Sequence, residues 1–179
     1  MAKYIVYACP VGELAGQLHN FFEQSRERFG ANAAHKYMPH CSLTGFFEDR
    51  TLAMPIYAQT LHRAYMRAYP SRPRPVIEVK GFNFQQDWHG LELESPWLKQ
   101  LIVDFTCTAV SPSRKQALRP KTWLHLSLAY EFPSEQGKQL AALAQETVDP
   151  EAPVDWQLCY YQRNPDGSWI CHHTWPLAE

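Results

Sequence analysis

Apolar positions recur along the chain with two different spacings, and the places where each applies predict its elements. Lys3–Cys9 (KYIVYAC) is short, β-branched and aromatic, which predicts a strand ended by Pro10. From Gly12 onward Leu14, Leu18, Phe21, Phe22 and Phe29 fall near one face of a helix that stops at Gly30. Met38–Phe47 returns to strand spacing, and Leu52–Ala68 fits a second helix ahead of the loop YPSRPRP. Val76–Gln85 and the run WHGLELE from Trp88 pair as a hairpin around a turn near Asp87. Pro96 suits the first turn of a third helix, SPWLKQLIVDFTCTAV. A polar loop or short helix, SPSRKQALRPK, leads into the apolar strand TWLHLSLAYEF. Ser134 is placed to cap a fourth helix, and VDWQLCYYQR with SWICHHTW closes the chain as a hairpin across Asn-Pro-Asp-Gly.

This order has no glycine-rich phosphate fingerprint after any strand, so a doubly wound nucleotide fold has no support. It predicts an α+β architecture of mixed or antiparallel sheets with helices packed outside. Each half contains helix, strand, helix and then a strand pair. A bilobal, pseudo-duplicated domain over residues 1–179 is therefore expected.

Composition narrows the function classes. The chain has 179 residues, enough for one compact domain, and its 45% apolar and 20% charged residues fit a folded rather than a disordered protein. Seventeen basic against eighteen acidic residues give a net charge of −1, which makes no global electrostatic case for coating nucleic acid or a membrane. The apolar run before Pro10 is short and no uninterrupted apolar stretch could span a bilayer, so a cytoplasmic protein without membrane association is expected. Five cysteines, odd in number and never in C-x-x-C spacing, argue against a disulfide framework or a cysteine zinc site. Most of them are expected to be small buried residues. His35, His62 and His89 lack partners at metal-ligand spacing, and His172–His173 has no accompanying carboxylate or cysteine pair, so no metal is expected.

Candidate chemistry comes from two stretches. PHCSLTGFF places His40 and Ser42 two residues apart, and WLHLSLAY repeats the frame with His125 and Ser127, 125 − 40 = 85 residues later. Strand side chains alternate faces, so each His and Ser share one side while Cys41, Leu43, Leu126 and Leu128 point into the core. Two such strands side by side make a pocket of two imidazoles and two hydroxyls. That set suits displacement at phosphorus: one imidazole accepts a proton, the other donates one, and hydroxyls hold the phosphate oxygens. A lone His-x-Ser/Thr is weak evidence, and His172–Thr174 is a third match. It is followed by Trp-Pro at the end of the last strand, which reads as edge or surface.

HCSL and HLSL resemble the paired His-x-Ser/Thr-apolar motifs of the 2H (two-histidine) phosphoesterase superfamily, with its LigT-like fold, and the order of elements agrees over essentially the whole chain. Within it the motifs look most like those of the plant and yeast type cyclic phosphodiesterases, which carry a similar glycine after the first motif and a tyrosine five residues after the second histidine, here Gly45 and Tyr130. The resemblance implies cofactor-free and metal-independent hydrolysis of a 2′,3′-cyclic nucleotide or ADP-ribose 1″,2″-cyclic phosphate to a phosphomonoester. It implies that His125 activates water, His40 protonates the leaving ribose oxygen, and Ser42 and Ser127 hold the phosphate. The partner would be a small cyclic nucleotide or an RNA end with a cyclic phosphate, acted on by a monomer. Two alternatives share the pocket: 2′,5′-RNA ligation or oligonucleotide cleavage, and an RNA-end-binding module, which the near-neutral charge ranks last.

Three further points are open at this level. Tyr130 lies an odd number of positions from His125, so it faces the site only if the strand ends or bulges near Ala129. Trp123 has the parity to flank His125 and stack on a base. Two basic clusters, Arg63, Arg67, Arg72 and Arg74, and Arg114, Lys115, Arg119 and Lys121, are candidates for extra phosphates, with a solvated surface expected for most of them.

Overall fold

The computed structural model describes residues 1–177. The first strand, β1 (Ala2–Val11), is central. Tyr4, Val6 and Ala8 are buried on one face and Ile5 and Tyr7 on the other, which explains its continuous rather than alternating apolar run. The other strands are β2 (Cys41–Ser42), β3 (Phe47–Asp49), β4 (Glu78–Phe84), β5 (Trp88–Glu94), β6 (Leu124–Tyr130), β7 (Asp155–Arg163) and β8 (Trp169–Pro176). They form one sheet in the order β4-β5-β6-β2-β1-β7-β8, with β3 also on β1, and each pairing is antiparallel. The halves expected as two lobes of mixed or antiparallel sheets thus share a single antiparallel sheet, and no duplication of the halves is evident in it.

Among the described residues there are four α-helices, near the stretches expected for them: α1 (Glu13–Phe29), α2 (Met54–Ala68), α3 (Pro96–Thr108) and α4 (Gly137–Thr147). Leu14, Leu18 and Phe21 of α1 are wholly buried, and α1 lies against α4 while α2 lies against α3. Ser95 caps α3 by accepting from Leu98 N–H at 3.2 Å, with Pro96 in the first turn. Ser134 makes no such bond, because a 3-10 turn (Ser134–Gln136) precedes α4.

Pro10 does not end β1. It pairs with Trp156 of β7, and its missing N–H falls on the β2 side, where pairing has already stopped at Ala8. The strand expected over Met38–Phe47 is broken into β2 and β3, and His40 lies just ahead of β2. The cause is a change of partners. Leu43 N–H donates to Val6 O at 2.9 Å, Thr44 Oγ1 accepts from Val6 N–H at 3.1 Å, and on the other side Leu43 O accepts from Lys121 N–H at 2.8 Å. Of the five cysteines, all free, only Cys41 and Cys159 are buried; Cys107 and Cys171 are exposed, so the general expectation of burial fails. Among the described residues no helix is long and apolar enough to cross a membrane.

Candidate active site

The site is made where β2 meets β6. Cys41 pairs with Leu126 in antiparallel register. Continuing that register by one residue either way, His40 falls opposite Ser127 and Ser42 opposite His125 along the backbone. Cys41, Leu43, Leu126 and Leu128 are buried at 0–1% exposure on the far side, while the two histidines and two serines are partly exposed. All four polar residues line one cavity of about 340 Å3, with Tyr7, Tyr37, Phe46, Trp88, Lys121 and Tyr130 also in its wall. No aspartate or glutamate contributes to that wall.

His40 is held firmly. Its Nδ1 lies 2.7 Å from Met38 O, and since a carbonyl only accepts, Nδ1 carries the proton and Nε2 is left for the cavity. Its ring packs against Tyr7 with centroids 3.9 Å apart and planes tilted by 33°. Burial pushes its pKa down to about 4, the Met38 carbonyl opposing and His125 adding slightly to the shift. His125 packs against Trp123 at 4.0 Å with planes tilted by 33° and is met edge-on by Trp88 at 5.2 Å. Its pKa is also lowered, mainly by burial and further by Lys121. The Trp123 carbonyl, two residues back as Met38 is from His40, favours the charged form by proximity, yet no hydrogen bond of regular geometry reaches the buried His125 Nδ1. The two imidazoles are therefore not equally anchored.

The hydroxyls differ as well. Ser127 Oγ accepts from Trp88 Nε1 at 2.9 Å, whereas Ser42 Oγ makes no hydrogen bond among the described residues. Trp88 can lie over the strand because Gly90 follows it: a Cβ at Gly90 would collide with the Leu126 carbonyl and the Trp88 ring.

Tyr130 faces the cavity because of a bulge. Gly90 pairs with Ser127 but His89 pairs with Ala129, so Leu128 is the extra residue and every later side chain changes face. Tyr130 is thereby returned to the His125 side, opposite Trp88, and burial followed by the neighbouring Tyr37 pushes its pKa up to about 12. Trp123 is 45% exposed; it covers His125 from outside but is not part of the cavity wall. Tyr7, Tyr37 and Trp88 were not identified from sequence. Only the Trp-x-Gly spacing of Trp88 and Gly90 carried any local signal.

The remaining candidates lie elsewhere. Of the two basic clusters only Lys121 lines the cavity; Arg67 pairs with Asp104 at 2.6 Å, and Arg114 donates to Ala109 O and Gln116 O. His172 sits on the edge strand β8 with Nε2 3.0 Å from Gln162 Oε1. His35 is structural: it accepts from Asn32 N–H through Nδ1 and so donates from Nε2 to Ser25 Oγ. Among the described residues no three His, Cys, Asp or Glu side chains converge in a way that could hold a metal.

No protein-family model matches the chain. It is similar to ecdysteroid-phosphate phosphatase of Drosophila melanogaster, 30% identical over 91% of this chain and 26% of that protein. The ecdysteroid-phosphate phosphatase of Bombyx mori is 28% identical over 91% of this chain and 25% of its own length. The human ubiquitin-associated and SH3 domain-containing protein B is 30% identical over 90% of this chain and 25% of its own length. The chain therefore spans about a quarter of the curated relatives it matches, and two of those relatives are named as phosphatases.

Proposed function

We propose that this protein hydrolyses a phosphate ester, and specifically a cyclic phosphodiester such as a 2′,3′-cyclic nucleotide or ADP-ribose 1″,2″-cyclic phosphate, as a 2H-type phosphoesterase. The observation that carries the reading is the convergence of His40, Ser42, His125 and Ser127 on one carboxylate-free cavity across the β2–β6 pair. The phosphatase names of the insect relatives support phosphate-ester hydrolysis in general.

In this reading the phosphate sits between the two strands and accepts from the Ser42 and Ser127 hydroxyls. His125, neutral because burial lowers its pKa, takes a proton from water as the water oxygen bonds to phosphorus. The bond from phosphorus to one ribose oxygen breaks, and that oxygen takes the proton on His40 Nε2. The product is an open phosphomonoester; His125 then loses its proton to solvent and His40 regains one. With a pKa near 4, His40 is almost wholly unprotonated at neutral pH and lacks the proton it must donate. The anionic phosphodiester supplies the charge that favours its protonated form.

The test is turnover of 2′,3′-cyclic nucleotides in the presence of a chelator, with product analysis. Absence of ring opening for all cyclic phosphates offered, by a folded protein, would end this reading. The insect relatives' name favours a second one, a phosphomonoester of a bulky apolar alcohol, for which the walls of Tyr7, Tyr37, Phe46 and Trp88 are suited. Release of inorganic phosphate from a steroid phosphate, without attack on cyclic nucleotides, would select it.

A further inference from the structure

One charged side chain in the cavity has no part in the mechanism above. Lys121 is the single basic residue other than the histidines in a wall that contains no acidic one. Its place is built rather than incidental. Lys121 N–H donates to Leu43 O at 2.8 Å, Gly45 N–H donates to Arg119 O at 3.0 Å, and Thr44 bridges Pro120. These bonds fasten residues 119–121 to the segment that leaves the first motif, two residues before Trp123 leads into the second. The ammonium is thus carried on a short clamp joining the two halves of the site. It makes no salt bridge among the described residues, whereas the guanidinium of Arg114 in the same cluster is turned onto Ala109 O and Gln116 O.

We infer that Lys121 is a third phosphate-contacting group of this site, its ammonium holding a non-bridging oxygen that the Ser42 and Ser127 hydroxyls leave unneutralised. The inference rests on the phosphate-ester reading. Two neutral hydroxyls can donate to the oxygens but cannot balance their charge, which grows as the fifth oxygen approaches phosphorus. An ammonium at the mouth of the cavity does so without moving a proton. It also acts on His125. The titratable and charged groups around that imidazole are His40 just ahead of β2, Lys121 from the clamp, Glu92 from β5 and Tyr130 from its own strand. Glu92, the register partner of His125, is drawn away into a hydrogen bond from Asn83 Nδ2 at 2.7 Å. Lys121 is therefore left as the nearby cation that opposes a proton on His125, which suits a base.

Wild type, Lys121→Met and Lys121→Arg decide the matter with inorganic phosphate as the probe, followed through the imidazole proton resonances of His40 and His125. Phosphate affinity should fall about 10-fold in Lys121→Met, as expected for one charge-assisted bond at a partly solvated site, and recover in Lys121→Arg. Without phosphate, His125 should titrate at a higher pH in Lys121→Met than in wild type, and thermal midpoints should coincide because the side chain is exposed. kcat/KM on a cyclic nucleotide should fall in parallel. Equal phosphate affinity and an unmoved His125 titration in Lys121→Met would overturn the inference. A wild type that binds phosphate but opens no cyclic phosphate would overturn the reaction alone, and Lys121 would still be judged by phosphate affinity. A wild type that binds no phosphate would overturn both.

Discussion

Trp88 Nε1 donates to Ser127 Oγ at 2.9 Å, and this bond makes the two motif serines unequal. An oxygen already serving as acceptor leaves its own hydrogen to point elsewhere, and in this cavity elsewhere is the place proposed for a phosphate oxygen. Trp88→Phe keeps an aromatic, though smaller, ring and removes the donor. It should lower kcat/KM about 10-fold, the scale of one hydrogen bond, with little change in thermal midpoint. Combined with Ser127→Ala it should add little, because both changes act through one hydroxyl. Fully additive losses in the double variant would show that Trp88 acts in some other way.

Gly90→Ala forces a methyl group against the Leu126 carbonyl and the Trp88 ring. The expected cost is about 1–3 kcal/mol in denaturant unfolding, as for overpacking elsewhere, together with loss of the Trp88–Ser127 bond. A variant as stable and as active as wild type would mean that β5 yields easily at this point.

His40→Ala and His125→Ala should each reduce turnover of a cyclic phosphate by about 100- to 10,000-fold, the range for loss of a general acid or base. Far-ultraviolet circular dichroism should be unchanged. Near-normal turnover in either variant would reject the proposed two-histidine mechanism.

His40 also makes stability depend on pH with a definite sign. Its pKa is about 6.5 in an unfolded chain and about 4 in the fold, so between these values the unfolded chain binds the proton first. Stability from keeping His40 neutral is complete above pH 6.5 and is lost as pH falls toward 4, by about 3 kcal/mol in all. Urea unfolding at pH 7 and 4.5 should show a smaller loss for His40→Gln than for wild type. Saturating phosphate should raise the His40 pKa as read by NMR. Equal losses in the two proteins would show that the fold does not hold this imidazole neutral.

Asp49 offers a contrast away from the cavity. This fully buried carboxylate accepts from Tyr57 OH at 2.5 Å, from Ser111 and Ser113 hydroxyls at 2.6 Å and from Arg50 N–H at 2.7 Å. Burial alone would raise its pKa; the hydrogen bonds outweigh that and hold it at about 2. The stability it contributes is therefore present above about pH 4 and lost as pH falls through 2. Asp49→Asn should destabilise by about 2–4 kcal/mol by placing a donor among donors, while leaving turnover per folded molecule unchanged. A loss of kcat in the folded variant would link this network to the site.

Much of the architecture could be read locally. The helix face of Leu14, Leu18 and Phe21 is buried as its spacing predicts, and Asn164–Gly167 makes the expected hairpin turn, with Gly167 at φ 86°. The errors fall where a distant segment takes over the backbone. Pro10 is tolerated because β2 is too short to reach it, and Met38–Phe47 breaks because Leu43 and Thr44 divide their hydrogen bonds between β1 and the 119–121 loop.

By itself the sequence determined the content of the candidate site: the alternation around Cys41 and Leu126 obliges His40 and Ser42, and His125 and Ser127, to leave the core together. Tertiary structure decided their relation. The Cys41–Leu126 register is a pairing across 85 residues, and no local preference sets which serine falls opposite which histidine. Tyr130 shows the same division. Its odd spacing from His125 is a property of the chain, but the face it takes depends on the extra residue Leu128, and that bulge exists only because β5 pairs with β6 around Gly90. Side-chain alternation is a property of one strand; register and bulges belong to the pair.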